Sequence, residues 1–325
     1  MGGFQIKRVY IFLAAVFTVI NAGLLFFQQQ PLRPWQALCD KIQAGHNSDL
    51  TQIGGANATA AAGSMTSINT CDPETPLDQS GAKLYPQFVL FGDSITQEGH
   101  STLGVEVANY YIRRLDVLNR GFGQYTSTMG LKLLPKFFPT TMPCPESDTP
   151  RVRLMTVFFG ANDASRLDAE WSGIPLETYK DTLRQIATYQ GINVHQTKVI
   201  FINPPPFDEH RSLGNNISRS SENTAIYAAA CCEVASSLSL PCLDLWSIFM
   251  RIAGWKGSGS DEKLIGSLDR EPSEALEQLL KDGLHPSAYG YAIIWEHLKH
   301  LIENELPTEI PERLPYIYPP APLID

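Results

Sequence analysis

From Lys83 to Glu305 short, mostly apolar runs alternate with longer stretches of helical periodicity, and nothing else in the chain constrains the fold as tightly. The runs fall at residues 88–91, 116–119, 152–159, 198–202 and 242–245. Helical segments fill the gaps, around 105–115, 128–137, 176–189, 220–238 and 287–305. A strand that alternates apolar with polar residues has one wet face; a near-continuous apolar strand is buried on both. Five such strands, each followed by a helix, predict an α/β domain of three layers, with a doubly wound, mainly parallel sheet between helices. Ligands in such sheets sit beyond the carboxyl ends of the strands, so the turn after each strand is where chemistry is expected.

The flanks of this domain read differently. Lys7 and Arg8 precede an apolar run from Tyr10 to Phe27. That run is close to the roughly 17–25 residues needed to span a bilayer. Leu24 to Phe27 continue it past Ala22, a small residue that could serve for cleavage, so residues 1–28 are expected to be an uncleaved signal-anchor. The basic pair would then hold the N-terminus in the cytosol and send the body across the membrane, lumenal or extracellular. Secretion after cleavage, or a cytoplasmic location if the leader is not used, are the alternatives. Residues 29–84 are polar and small, with Gly54-Gly55-Ala56-Asn57-Ala58-Thr59-Ala60-Ala61-Ala62-Gly63 at their centre. Too little apolar surface is present to offset the entropy of ordering, which predicts a flexible tether. Residues 85–325 remain as the folded domain, with an insertion at 256–281 carrying a short helix and a Pro-rich end from Leu306 along the surface. Asn57-Ala58-Thr59 and Asn216-Ile217-Ser218 match the glycosylation acceptor pattern.

A formal net charge of −9 argues against a nucleic-acid binder, which calls for a clustered basic face. The six cysteines (Cys39, Cys71, Cys144, Cys231, Cys232, Cys242) contain no C-x-x-C pair, so neither a zinc site nor a disulfide framework is expected. Cys231 and Cys232 read as free thiols packed on a helix, and a Cys39–Cys71 bridge in the leader stays open. His297 and His300 on the last helix have no carboxylate-rich motif beside them and read as solvated side chains.

Four strand ends carry reactive residues. Gly92-Asp93-Ser94 follows the first strand: either a Ser or Asp helix cap after a glycine turn, or a nucleophile whose own N–H faces a developing oxyanion. Asn119-Arg120-Gly121-Phe122-Gly123-Gln124-Tyr125 follows the second, where glycines let backbone N–H groups approach a ligand. Gly160-Ala161-Asn162-Asp163 follows the third; its side-chain amide is a neutral donor, or an ordinary turn cap. Asp282-Gly283-Leu284-His285-Pro286 precedes the last helix. An aspartate three residues before a histidine can accept from Nδ1–H and leave Nε2 to face a serine. Each motif alone has a bland explanation. A helix cap, however, needs no partner histidine, aspartate or asparagine, and here all occur in order after separate strands.

In that order the chain resembles the SGNH, or GDSL-type, hydrolase family, and within it the isoamyl acetate-hydrolysing esterase branch. The resemblance rests on Phe91-Gly92-Asp93-Ser94-Ile95-Thr96-Gln97, on 113–122, on Phe158-Phe159-Gly160-Ala161-Asn162-Asp163-Ala164, and on Pro204-Pro205-Pro206, Glu222-Asn223-Thr224, Leu243-Asp244-Leu245-Trp246 and Asp282-Gly283-Leu284-His285. It covers residues 85 to 320. It implies a five-stranded flavodoxin-like sheet, a nucleophile at Ser94, a general base at His285 and its orienter at Asp282. It also implies an oxyanion hole from Ser94, the glycine loop and Asn162. The family's oxyanion glycine falls on Gln124, with Gly123 one residue earlier, so either position is a candidate donor.

The expected activity is hydrolysis of small, acetate-type esters through an acyl-enzyme, with no metal or organic cofactor. Phe122, Tyr125, Trp171, Phe207 and Trp246 are candidates for an apolar substrate pocket or for core. A lysophospholipase or a carbohydrate-ester deacetylase would use the same groups. A silent binding module with its oxyanion hole spoiled at Gln124 is the rival from another class. A nucleotide binder is disfavoured because no P-loop or G-x-G-x-x-G follows a strand.

Overall fold

Each apolar run after Lys83 is extended in the structure, a computed structural model that describes residues 84–141, 149–169, 172–211, 218–257, 263–319 and 321. The strands are β1 (Gln87–Gly92), β2 (Asp116–Gly121), β3 (Val152–Phe158), β4 (Lys198–Ile202) and β5 (Cys242–Leu243). They form one five-stranded sheet in the order β2-β1-β3-β4-β5, and every pairing is parallel. The helices are α1 (Ser94–Glu98), α2 (Leu103–Tyr110), α3 (Ser127–Phe137), α4 (Leu176–Ala187), α5 (Gln190–His195), α6 (Ser221–Ser237), α7 (Leu245–Ile252), α8 (Glu274–Leu279) and α9 (Ala288–Glu305). Apart from Gly257, the described residues fall in one compact unit.

Why the central strands read as unbroken apolar runs is visible in their packing. Phe88 and Leu90 of β1 join Leu154, Ile200 and Ile202 in a core shared with α2, α7 and α9. Val89 and Phe91 point the other way, to Met155, Val157, Val199 and Phe201, under α3, α4 and α6. Burying one such side chain stabilises the fold by about 1.5–3 kcal/mol, so a polar residue on either face of β1 or β3 would be expensive. β2 lies at an edge and is only partly buried, which is why Asn119 and Arg120 are tolerated there.

Polar caps set the helix starts. Asp93 accepts from the Ile95 N–H at 2.9 Å, Ser220 from Asn223 at 3.1 Å and Ser287 from Gly290 at 3.1 Å. The same device overturns one expectation. Asp244 accepts from the Ser247 N–H at 3.1 Å, so the last strand stops at Leu243 and Leu245 opens α7. The helix expected over 176–189 is α4, which ends at Ala187, and the short α5 that follows it was not expected.

Cys232 is not a free thiol. It is bonded to Cys242, ten residues on, tying α6 to β5, while Cys231 is free and buried as expected. The C-terminal end is more deeply set than a surface strap. Glu309 is buried against Arg153 at 2.5 Å, Leu314 is buried, and the Arg114 guanidinium lies 3.2 Å above the Tyr316 ring.

Among the described residues no helix is long and apolar enough to cross a membrane. The expected anchor, residues 29–83 of the expected tether, both glycosylation asparagines, Trp171, Cys39, Cys71 and Cys144 lie outside the described residues.

Candidate active site

The carboxyl edge of the sheet gathers all four motifs. β1 ends at Gly92, Asp93 caps α1, and Ser94 is the first residue of that helix. A first-turn N–H has no intrahelical acceptor, so the Ser94 N–H is left free to donate. Ser94 Oγ lies 2.9 Å from His285 Nε2, and His285 Nδ1 lies 2.7 Å from Asp282 Oδ2. A carboxylate at Nδ1 requires the Nδ1–H tautomer, which makes Nε2 the acceptor for the serine proton.

Local structure explains why the Asp-x-x-His loop holds this shape. Asp282 Oδ1 accepts from the backbone N–H groups of Leu284 at 3.0 Å and His285 at 2.8 Å. Burial pushes the Asp282 carboxyl up, but the hydrogen bonds from His285 and Leu284 outweigh it and hold the group below its ordinary value. Gly283 sits at φ +86°, where a Cβ would come within 2.6 Å of the Asp208 carbonyl oxygen, so the turn requires glycine. The Lys281 N–H donates to the His285 carbonyl at 2.9 Å and closes the loop.

The glycine loop is tied to α1. Asn119 Nδ2 donates to the Thr96 carbonyl at 2.7 Å, and Gly123 N–H donates to Gln97 Oε1 at 2.8 Å. A Cβ on Gly121 would run into the backbone of Gln97, so only glycine permits this approach. Gln124 adopts φ +67°, a left-handed conformation that is costly for a residue with a side chain. With Gly123 engaged by Gln97, the Gln124 N–H is the unengaged donor of the loop.

Asn162 is buried at the end of β3. Its Nδ2 donates to the Tyr125 carbonyl at 2.9 Å, and its Oδ1 accepts from Arg219 Nη2 at 2.7 Å. Asp163 beside it accepts from the Ser127 N–H at 3.0 Å and from its hydroxyl at 2.5 Å. Burial raises Asp163 to about 6, against the pull of the Ser127 hydrogen bonds. Burial raises Asp93 to about 7, opposed first by the Ile95 N–H and reinforced by Asp163.

The candidate pocket aromatics divide. Phe122 and Tyr125 are partly buried and lie 5.2 Å apart, centroid to centroid, beside the glycine loop. Phe207 and Trp246 are buried, and Trp246 packs in the core with α9, so neither offers a free face to a ligand. Gln97, Glu98, Lys281 and Arg219 were not singled out by sequence. Gln97 sits inside the first motif, but Arg219 lies 57 residues from the asparagine it contacts and carries no local signal. Among the described residues no group of three or more His, Cys, Asp or Glu side chains converges as a metal site.

A parallel 2-1-3-4-5 sheet thus carries Ser94, His285 and Asp282 in one hydrogen-bonded chain at its carboxyl edge. The chain belongs to the GDSL-like lipase/acylhydrolase family, whose model matches residues 90–293, and it is a carboxylic ester hydrolase. It is similar to isoamyl acetate-hydrolyzing esterase 1 homolog of Bos taurus, at 32% identity over 73% of this chain and 89% of the relative. The isoamyl acetate-hydrolyzing esterase of Saccharomyces cerevisiae is 30% identical over 71% of this chain and 92% of its own. Among solved structures, the lipase/acylhydrolase from Enterococcus faecalis covers 68% of this chain and 96% of its own, at 24% identity and a TM-score of 0.49.

Proposed function

We propose that the chain hydrolyses small carboxylic esters of acetate type through an acyl-enzyme on Ser94. The observation that carries this reading is the continuous relay from Ser94 Oγ to His285 Nε2 at 2.9 Å and from Nδ1 to Asp282 at 2.7 Å. Ser94 Oγ attacks the ester carbonyl carbon while its proton passes to Nε2. The oxyanion draws on the Ser94 N–H, the Gln124 N–H and the Asn162 amide, each such donor contributing about 3–4 kcal/mol to the transition state. Collapse expels the alcohol, which takes the proton from Nε2. Water, activated by the same nitrogen, then attacks the acyl carbon and releases the acid. The relatives named isoamyl acetate-hydrolyzing esterase support an acetate of a short alcohol as substrate.

Ser94→Ala is expected to abolish both p-nitrophenyl acetate hydrolysis and labelling by a fluorophosphonate probe. Wild-type rates in that variant would end the proposal.

A second reading, a lysophospholipase, is favoured by one feature. A cleft of about 1020 Å³ runs past Arg219 between the loops after β3 and β4, and the exposed Leu167, Ile226 and Leu268 line it. A panel of p-nitrophenyl esters of increasing acyl length separates the two, since an acetate-selective enzyme loses kcat/KM as the chain grows.

We also place this domain beyond a membrane, held by residues 1–28 and the 29–84 tether. The Cys232–Cys242 bond supports an oxidising compartment. Carbonate extraction should leave the full chain in the membrane pellet, and its release would remove the anchor.

A further inference from the structure

We propose that Arg219 is a positioning residue for ester hydrolysis, locking the Asn162 amide so that its second Nδ2–H is left for the oxyanion. This rests on the reading of Asn162 as an oxyanion donor.

The argument begins with what each group can do. A guanidinium only donates, and a backbone carbonyl only accepts. Arg219 Nη2 at 2.7 Å must therefore meet Asn162 Oδ1, and the Tyr125 carbonyl at 2.9 Å must meet Nδ2. The reversed amide would set NH₂ against the guanidinium and oxygen against a carbonyl, losing both bonds. One Nδ2–H is used by Tyr125; the other remains. Asn162 itself is buried, so water cannot take the place of either partner.

Arg219 is itself held in place. Its Nε donates to the Ala161 carbonyl at 3.1 Å, so one planar fork grips two consecutive residues of the turn after β3. A lysine has no such fork, since its single nitrogen cannot hold both oxygens in one plane. Position in the chain reinforces this, because Arg219 directly precedes Ser220, whose cap hydrogen bond fixes where the chain enters α6. Its charge also has a role. The Arg219 guanidinium pulls the buried Asp93 carboxyl down, and Asp93 in turn offsets the burial that lowers Arg219. The cation thus offsets the buried Asp93 carboxyl, which would otherwise repel a developing oxyanion, and it polarises the amide that donates to that oxyanion. Nothing in this arrangement is needed for a turn after a strand, which the Gly160 and Asn162 carbonyls already close through the Ala164, Ser165 and Gly173 N–H groups.

The test is a double-mutant cycle on the purified full chain, with kcat and KM for p-nitrophenyl acetate and thermal unfolding followed for each variant. Loss of one oxyanion donor costs about 10²–10³ in kcat, so Asn162→Ala should fall in that range and Arg219→Met, which loosens rather than deletes the donor, by roughly ten- to a hundredfold. KM should stay within about threefold of wild type in Arg219→Met, as expected of a loss confined to the transition state. Arg219→Gln, which keeps a donor to Oδ1 without the charge, should recover part of the loss. Adding Arg219→Met to Asn162→Ala should cost less than about twofold more, because the residue acts only through the amide.

Equal loss of kcat from Arg219→Met in both backgrounds, or a rise in KM with kcat unchanged, overturns the proposal while leaving Asn162 as a donor. Wild-type kcat in Asn162→Ala overturns the oxyanion reading beneath it, whatever Arg219 does. Should Arg219→Met fail to fold, the cycle is run with Arg219→Gln, and the same comparison decides.

Discussion

Gln124 holds φ +67° in a loop whose Gly123 N–H is already given to Gln97. The left-handed region costs an L-residue about 1–2 kcal/mol, and a glycine there would give back about half to one as chain entropy. Gln124→Gly should therefore gain about 0–1.5 kcal/mol in thermal unfolding and keep its kcat, because the N–H survives. Gln124→Pro removes the N–H and forces φ to about −65°, so kcat should drop about a hundredfold or more. Equal kcat in the proline variant would take Gln124 out of the proposed oxyanion hole. At this scale the sequence was most informative about groups that act through near neighbours. Asp282 and His285 lie in one loop, and their pairing was legible. Arg219 reaches Asn162 across 57 residues, and no local pattern could announce it.

The shortest helix, α1, carries the most consequence among the elements. Ser94 begins it, Gln97 ties it to the glycine loop, and Glu98 ends it with Oε2 2.5 Å from Lys281 Nζ and Oε1 3.8 Å from His285 Nε2. The Glu98–Lys281 pair therefore joins the helix of Ser94 to the loop of His285. Its side chains are substantially exposed, so as an ion pair it should contribute about 0–1 kcal/mol to stability. Lys281→Met should accordingly unfold within about 1 kcal/mol of wild type, while kcat falls severalfold as the loop loosens. A variant with unchanged kcat would make the tie incidental. The strand end that the sequence misplaced has a local cause. Residues 242–245 read as one run, and what divides β5 from α7 is the Asp244 cap, not a change in hydrophobicity.

For the molecule as a whole, two buried carboxyls make stability depend on pH. Asp93 is raised from the ordinary 3.8 to about 7 and Asp163 from 3.8 to about 6, both chiefly by burial. Between 3.8 and those values the folded chain holds protons that the unfolded chain has released. Stability attributable to these groups is thus full in acid and declines as pH rises, to about 6 for Asp163 and about 7 for Asp93. Asp93→Asn keeps a capping oxygen and removes the charge. Its unfolding temperature should exceed wild type at pH 8, with the advantage shrinking toward nothing near pH 4. A constant difference across that range would mean that the Asp93 charge is not what burial penalises.

The sequence by itself determined the class of fold, the strand sites and the order of the four reactive turns. Those depend on hydrophobic runs and short spacings, and both are local. Only the tertiary structure decided that Gln124 is left-handed, that Cys232 pairs with Cys242, and that Phe207 and Trp246 are core. It alone brought Arg219 to the Asn162 amide and Lys281 to Glu98. These are contacts between segments far apart in the chain, fixed by how helices pack across an open sheet, and no single stretch of residues encodes them.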